Sequence, residues 1–219
     1  MARCLLAAIS VLLCASPAGA DPLEALVSGG KAGLELRYRL ESVEQDGLPR
    51  DALANTLRLR LRLESGQVAG FAGVVEFDHL EALGTERFDS TRNGRVGYPV
   101  VADPEGTDLN QLYLRHEGLP DTVFRFGRQR LVLDNQRFIG NVGWRQNEQT
   151  YDALSVQNRS LPATTLTYAY LDNVRRVFGP EAGAPPAELD SRSHVLHAAW
   201  SGSRLGTLSA YHYRLHLRD

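Results

Sequence analysis

The segment Leu57-Arg-Leu-Arg-Leu-Arg-Leu-Glu64 alternates leucine with charged residues, and Leu34-Glu-Leu-Arg-Tyr-Arg-Leu-Glu41 repeats the pattern. Leu, Arg and Glu all favour helices, so residue propensity by itself predicts a helix. A helix would scatter these leucines around its circumference, whereas a β-strand places them on one face because successive side chains point to opposite sides. The two segments therefore predict β-strands that have one apolar face and one charged face.

The same two-residue period recurs in weaker form along the rest of the chain. In Ala69–Asp78, for example, Phe71 and Val75 alternate with Glu76 and Asp78. The lengths suit the roughly 9–11 residues that a tilted membrane strand needs. We predict about nine strands: Leu34–Glu41, Leu57–Glu64, Ala69–Asp78, Asn110–Glu117, Thr122–Leu133, Thr150–Gln157, Thr164–Leu171, His194–Trp200 and Thr207–Leu217.

Long and short connections alternate between these strands. The long ones are Glu44–Asn55, His79–Leu109, Asp134–Gln149 and Asp172–Ser193, and the short ones are Ser65–Gln67, Gly118–Asp121, Asn158–Ala163 and Ser201–Gly206. Outer-membrane barrels combine tight periplasmic turns with long extracellular loops, whereas a soluble β-sandwich, the alternative for alternating strands, does not sort its loops in this way. We therefore predict an all-β fold, an antiparallel up-and-down transmembrane β-barrel.

The first 20 residues have the features of a secretory signal peptide. Arg3 precedes the apolar run Leu5–Ala15, and Ala18-Gly-Ala20 matches a cleavage site. We expect residues 1–20 to be a signal peptide and residues 21–219 to be a partial outer-membrane β-barrel. Both cysteines, Cys4 and Cys14, lie in the leader, which excludes disulfides, cysteine-zinc sites and cysteine nucleophiles from the remaining chain.

The charge balance argues against a nucleic-acid partner. The chain has 24 basic and 26 acidic residues, and its formal net charge is −2. Nucleic-acid binding depends on neutralising phosphates with a basic surface, for which this composition has no excess. Lys31 is the only lysine, so nearly all cations are arginines. The partners we expect are outer-membrane lipid, the barrel assembly machinery, and an anionic polysaccharide or small anionic solute.

Two segments resemble the alginate-export family of porin-like outer-membrane proteins. They are Val101–Leu114 and the distinctive stretch that begins at Gly127-Arg-Gln-Arg130 and continues through Asp134–Asp152, within a similarity from about Glu35 to the chain end. The resemblance implies a β-barrel that passes anionic polysaccharide or other solutes through the outer membrane. Arg128 and Asp152, which begin and end the most specific part of this similarity, are also among the residues that we predict to line the pore.

The chain departs from this family in extent. Family members have roughly twice as many strands, and bacterial outer-membrane barrels have an even number. The sequence ends at Arg218-Asp219, without the terminal aromatic residue usual in such barrels. We therefore expect an N-terminal half, an incomplete barrel that does not close into a channel by itself.

If the leucine faces meet lipid, the charged faces line the pore. The predicted pore-lining residues of the strands are Arg37, Arg39, Arg58, Arg60, Arg62, Glu76 and Asp78. Arginine suits carboxylated or phosphorylated solutes because its planar fork forms two parallel hydrogen bonds with an oxyanion. A row of weak sites permits conduction without trapping. The alternative is that arginines and carboxylates of neighbouring strands only pair with each other.

The connection Asp134–Gln149 is a candidate constriction. It is polar, it contains Arg137, Trp144 and Arg145, and we expect it to fold inward, where aromatic faces stack on sugar rings while arginines bind carboxylates. The alternative is an ordinary extracellular loop whose Trp144 lies at the membrane interface.

Metal-binding and catalytic motifs are weak. On a strand His194 and His197 point to opposite faces, and His212 and His216 lie about 13 Å apart, so we expect no metal and no cofactor. The leading hypothesis is a passive outer-membrane channel for anionic, saccharide-like solutes, and not an enzyme. The alternatives are an outer-membrane enzyme that acts on lipid or polysaccharide through Ser209, His212 or pairs of Asp and Glu residues, and a soluble periplasmic β-rich binding protein.

Overall fold

A computed structural model describes residues 22–218, so the predicted signal peptide lies outside the described residues. A short helix, α1 (Pro22–Ser28), precedes one antiparallel sheet. Each strand pairs with the next along the chain, except that β10 pairs with β8. The strands are β1 (Lys31–Val43), β2 (Ala52–Glu64), β3 (Phe71–Ala82), β4 (Gly106–Leu119), β5 (Thr122–Gln129), β6 (Thr150–Asn158), β7 (Thr164–Arg175), β8 (Glu188–Ser203), β9 (Gly206–Arg214) and β10 (Leu217–Arg218).

The tenth strand is a continuation of the ninth. Arg214 pairs with His194, and Leu217 pairs with Ser191 in the same register, so both segments lie along one edge of β8. In the described residues the sheet is open, and its edges are β1 and the combined β9–β10 strand. The predicted antiparallel up-and-down fold of about nine strands is thus confirmed.

The alternation of long and short connections is also confirmed, although most strands are longer than predicted. The long connections are residues 44–51, 83–105, 130–149 and 176–187, and the short ones are residues 65–70, 120–121, 159–163 and 204–205. Strand β5 is the exception in length, because it ends at Gln129 and not at Leu133.

Helix α1 was not predicted from the sequence, and it lies against the short turn between β2 and β3. The Gly66 N–H donates to the Leu26 carbonyl at 2.7 Å. A Cβ atom on residue 66 would stand 2.0 Å from the Ala25 carbonyl oxygen, so only glycine permits this approach. No helix among residues 22–218 is long and apolar enough to cross a membrane.

The two faces of the sheet differ sharply in exposure. The leucine face, which includes Leu34 (67 % exposed) and Leu61 (39 %), is uncovered, whereas Arg58 (2 %) and Arg60 (7 %) on the opposite arginine face are buried. This inverts the usual arrangement of a soluble protein, in which arginine is among the residues least often buried. The leucine face is therefore suited to an apolar environment.

Two long connections cover the arginine face through apolar contacts. Leu131 and Ile139 of connection 130–149 join a buried cluster with residues of β6, β7 and β8, among them Tyr151, Leu171 and Val195. Phe88 and Val101 of connection 83–105 pack on Ala52 and Ala54 of β2. Complete burial of one such large apolar side chain is worth about 1.5–3 kcal/mol, so these contacts hold both connections on the sheet.

A charged substitution on the leucine face tests its contact with lipid. We expect Leu61→Arg to lower the free energy of unfolding of the full-length barrel in phospholipid bilayers, by up to about 2–4 kcal/mol, because the cost of a lipid-facing arginine rises to that value at the membrane centre. Guanidinium titration of the bilayer-embedded protein measures it.

The matched control is Leu205→Arg, since Leu205 is fully exposed in the short turn before β9. Its effect should stay within about 0.5 kcal/mol, as for most surface substitutions. Equal effects of the two substitutions would show that the leucine face does not meet lipid.

Candidate functional site

Connection 130–149, hereafter the inward loop, crosses the arginine face from one side of the sheet to the other. Near its start, Asp134 accepts a hydrogen bond from Ser209 Oγ at 2.7 Å and lies 2.9 Å from His197 Nε2. Near its end, Arg37 of β1 donates to the Trp144 carbonyl at 2.8 Å and to the Gly143 carbonyl at 3.0 Å. The loop thus bridges β8–β9 and β1, which agrees with the predicted inward fold.

A network of ion pairs centred on Arg60 fixes the end of the inward loop to β2 and β3. Arg60 binds both carboxylate oxygens of Asp78 at 2.7 Å and one oxygen of Glu148 at 2.5 Å. Arg130 binds the other oxygen of Glu148 and reaches Glu76 at 3.0 Å. Because Glu148 joins two arginines, its charge couples the loop to the sheet.

A β-bulge builds the surroundings of Glu76. The register between β3 and β4 shifts after Glu76, which leaves Asn110 as an extra residue beside Gln111. Both amides are buried and both donate to Glu76 Oε1, at 2.7 and 3.0 Å. Neighbouring residues of a regular strand would point to opposite faces, so the bulge is what turns both amides towards one carboxylate.

A second cluster joins the inward loop to connection 83–105. Arg58 donates to the Gln146 carbonyl at 2.9 Å and to Glu35 at 2.5 Å. The Gln146 N–H donates to Asp103, which is fully buried, at 3.0 Å. Arg39 and Arg145 approach Asp103 only to 3.7 and 3.9 Å.

The two buried carboxylates of these connections have opposite pKa shifts. Burial raises the pKa of Asp103, because its arginines are too distant to compensate for the lost hydration. Burial alone would also raise the pKa of Glu148, but the hydrogen bond and charge of Arg130, together with Arg60, outweigh it and lower the pKa below its usual value. Glu148 is therefore held as a carboxylate.

An open cleft remains beside these clusters on the arginine face. Its volume is about 560 Å³. Arg125 lies in its wall, and no carboxylate among the described residues comes within the 4.0 Å of an ion pair with it. The other charged or polar residues that line the cleft are Arg60, Arg62, Arg130, Glu35, Glu76, Gln111, Tyr113 and Gln129.

Most predicted pore-lining residues come together, but three do not. Arg137 lies away from both clusters, with its guanidinium 5.7 Å from the Phe138 ring centroid. Arg128 binds Asp152 at 2.8 and 3.0 Å, and the register sets Arg128 opposite Leu112. The residues that do assemble with the inward loop are Arg37, Arg39, Arg58, Arg60, Arg62, Glu76, Asp78, Trp144 and Arg145.

The position expected for Arg128 and Asp152 is therefore corrected. Paired residues of antiparallel strands share a face, so these two residues lie on the side of Leu112 and not on the arginine face. Beyond Gln129 the chain leaves the sheet, and Arg128 also donates to the Leu109 carbonyl of β4 at 3.2 Å, where β5 no longer supplies a partner. The ion pair thus fills the space that β5 vacates.

Sequence reasoning missed several residues of the site. Arg125, Arg130, Glu148, Gln146 and Asp103 were not among the predicted residues. A signal for Arg125 was present, since it alternates with Phe124 and Phe126 and so belongs to the charged face. The sequence held no comparable signal for Asp103 and Gln146, which lie on different connections.

No catalytic or metal-binding arrangement is found in the part of the chain that the structure describes. Asp134 lies between Ser209 and His197, so the histidine is bonded to a carboxylate and not to the hydroxyl that it would have to activate. Residues 22–218 hold no group of three or more His, Cys, Asp or Glu that could bind a metal ion. His194 is exposed and His197 is buried, which agrees with the predicted opposite faces.

An open antiparallel sheet with an exposed leucine face and a loop folded over a charged face has the features of one part of a porin-type β-barrel. The family model described as "Alginate export" matches residues 30–216, and this chain belongs to that family. This confirms the resemblance. The family is one of export proteins and not of enzymes, as expected.

Solved structures show the same fold. The chain is 18 % identical to OccAB3 of Acinetobacter baumannii, with a TM-score of 0.66. The match covers 87 % of this chain and 50 % of OccAB3. For OccK8 (OprE) of Pseudomonas aeruginosa the identity is 18 %, the TM-score 0.63 and the coverage 87 % and 47 %. For OpdK of the same organism, crystallised with vanillate, the identity is 15 %, the TM-score 0.58 and the coverage 87 % of this chain and 50 % of OpdK. The chain thus spans about half the length of these proteins, and no curated protein matches it.

Removal of the Glu148 charge should release the inward loop. In Glu148→Gln the buried Arg60 and the partly buried Arg130 lose a charged partner, and breaking a buried pair such as Arg60–Glu148 costs about 3–5 kcal/mol. We expect faster amide hydrogen exchange in residues 130–149 of the full-length protein. The control is Glu44→Gln, an exposed residue outside the described ion pairs. Equal exchange in the two variants would contradict the proposed anchoring role of Glu148.

Acid should release the same loop. A carboxylate whose pKa is lowered on folding stabilises the folded state above its unfolded pKa, and this contribution is lost as the pH falls through the lowered value. The protection of residues 130–149 against amide hydrogen exchange should therefore be constant near neutral pH. It should decrease once the pH drops below the ordinary pKa range of glutamate. The difference between wild type and Glu148→Gln should shrink over the same interval. A difference that is independent of pH would refute this assignment.

Proposed function

We propose that this chain lines an outer-membrane channel that passes anionic, saccharide-like solutes. Membership of the alginate-export family supports a porin-like channel. The finer proposal, a preference for anions, comes from the arrangement of charges on the arginine face. The pore-lining residues we propose are Arg37, Arg39, Arg58, Arg60, Arg62, Glu76, Asp78, Trp144 and Arg145, with Arg125 and Arg130 added from the structure.

Unequal burial of opposite charges is the observation that carries this proposal. In and beside the cleft wall, the side chains of Arg62 (34 % exposed) and Arg130 (27 %) are more exposed than those of Glu76 (3 %) and Glu148 (5 %), and Glu35 (54 %) is the exposed carboxylate of this wall. Three accessible arginines, Arg62, Arg125 and Arg130, thus share the wall with one exposed carboxylate, Glu35, although the ion pairs as a whole are close to neutral. Arg125 adds a cation without an ion-pair partner in the described chain.

Arginine is well matched to carboxylated sugars. Its guanidinium stays charged and forms two parallel hydrogen bonds with a carboxylate. Tyr113 lies beside Arg62 in the cleft wall, and its hydroxyl offers a partner for a sugar hydroxyl. Several such groups in one cleft provide weak sites in succession, which conduction requires. OpdK, a structural relative, was crystallised with an aromatic carboxylate.

Location and partners belong to the same proposal. We propose that residues 1–20 are removed as a signal peptide, that the barrel assembly machinery inserts the protein, and that the leucine face contacts outer-membrane lipid. The exposed leucines favour this over the soluble periplasmic alternative. The enzymatic alternative has no nucleophile–base pair to support it among the described Ser209, His197 and Asp134.

Ion selectivity of the full-length protein tests the proposal. In a salt gradient across a planar bilayer, we expect a reversal potential that reports anion preference. Arg125→Gln should lower the anion-to-cation permeability ratio by up to about fivefold, the factor for about 1 kcal/mol between adjacent charges in water.

The control is Arg204→Gln, which removes an exposed arginine from the short turn 204–205. It should leave the reversal potential unchanged, because that turn lies away from the cleft. A cation-selective wild-type channel would overturn the proposed preference, and an unchanged Arg125→Gln would show that this arginine does not face permeating ions.

A further inference from the structure

We infer that the channel carries a second binding site, an aromatic platform formed by Phe138, Tyr211 and Tyr213 with Arg137 at its margin, for solutes that combine a ring with a carboxylate. This inference rests on the proposed channel and names the solute class that the platform would hold. It involves none of the residues of the arginine-lined cleft.

The three rings form one continuous surface. Tyr211 and Tyr213 of β9 stack with ring centroids 4.7 Å apart and an angle of 24° between the planes. Phe138 of the inward loop lies 5.5 Å from Tyr211 and 6.2 Å from Tyr213. Phe138 (51 % exposed) and Tyr211 (52 %) still present half of their surface, so a further ring has room to stack on them.

The platform lies on the arginine face and not on the lipid-facing side. Tyr211 pairs with His197 and Tyr213 with Val195, and both partners are buried beneath the inward loop. Asp134, bonded to His197 and Ser209, holds the start of the loop against β8 and β9 and so brings Phe138 to the tyrosines. Aromatic residues of a membrane-interface belt would instead share the side of Leu196.

The chemistry selects a ring that bears a negative charge. Apolar ring faces, whether of a sugar or of an aromatic acid, stack on aromatic side chains. Arg137 lies over Phe138, is exposed, and forms no ion pair within the described part of the chain, so its guanidinium can bind a carboxylate at the platform margin. Trp144 is less suitable, because Arg145 and Arg39 already approach its ring centroid to 4.2 and 5.2 Å.

Current block in planar bilayers by defined probes tests the inference on the full-length protein. The probes are trigalacturonate and 4-hydroxybenzoate, which have a ring and a carboxylate, together with maltotriose, which lacks the carboxylate, and acetate, which lacks the ring. We expect one or both of the first two to block the current at concentrations well below those of the last two. Block by trigalacturonate alone identifies a uronate site, and block by 4-hydroxybenzoate alone an aromatic-acid site.

Substitutions then locate the block. Phe138→Leu and Tyr211→Leu should each weaken block by the active probe roughly fivefold, as expected for the loss of one stacking contact. Arg137→Gln should reduce the preference for trigalacturonate over maltotriose. The control, Tyr168→Leu, removes a half-exposed tyrosine that shares the side of Leu196 and should leave block unchanged.

The outcomes separate the two proposals. Reversal potentials without probe decide anion preference independently of the platform. Block that persists in both Phe138→Leu and Tyr211→Leu, or that falls equally in Tyr168→Leu, would overturn the platform even in an anion-selective channel. Platform-dependent block in a channel without anion preference would instead overturn only the proposed preference.

Discussion

The pairing of Arg60 is the interaction on which the arrangement of this protein depends. A buried guanidinium is tolerated only where carboxylates and hydrogen bonds replace its lost hydration. Asp78 on the neighbouring strand supplies one partner, but Glu148 comes from a loop that follows β5. The inward loop and the sheet therefore stabilise each other. Neighbouring contacts of the same loop place Trp144 beside β1 and Gln146 beside β2.

Two local irregularities make this pairing possible. The bulge at Asn110 directs a second amide to Glu76, which leaves that carboxylate fully bonded while it also meets Arg130. The early end of β5 at Gln129 frees the chain to turn over the arginine face. Because the chain turns away here, β4 has no paired strand on this edge beyond Gln129. The Arg128 guanidinium instead donates a hydrogen bond to the Leu109 carbonyl of β4. Regular strands of equal length would have produced a flat charged wall without a constriction.

The sequence was sufficient for the strands and insufficient for the loop contacts. Alternation in Leu57–Glu64 outweighed helix propensity because a two-residue period has only one structural meaning. Phe124, Phe126 and Arg128 share that period, so the leucine-face position of Arg128 was already readable and was missed. By contrast, Arg37 and Trp144 lie far apart in sequence. The alternation of apolar and charged residues predicts strands, but it does not predict which strand a loop contacts. Helix α1 was equally hidden, since its seven residues are too few for a helical pattern.

Charge selectivity of such a wall need not follow from its net charge. The whole chain is slightly acidic, at −2, and its buried ion pairs nearly cancel. Some long arginine side chains are nevertheless more exposed than the carboxylates that neutralise them, as Arg62 is beside Glu76, so the guanidinium group is the more accessible charge of that pair. A potential of this kind is strongest at contact and is screened by salt over roughly 10 Å at physiological ionic strength. It therefore acts most strongly on a solute held against the wall, where an aromatic platform would also hold a ring, and less strongly on small ions that pass along the pore axis.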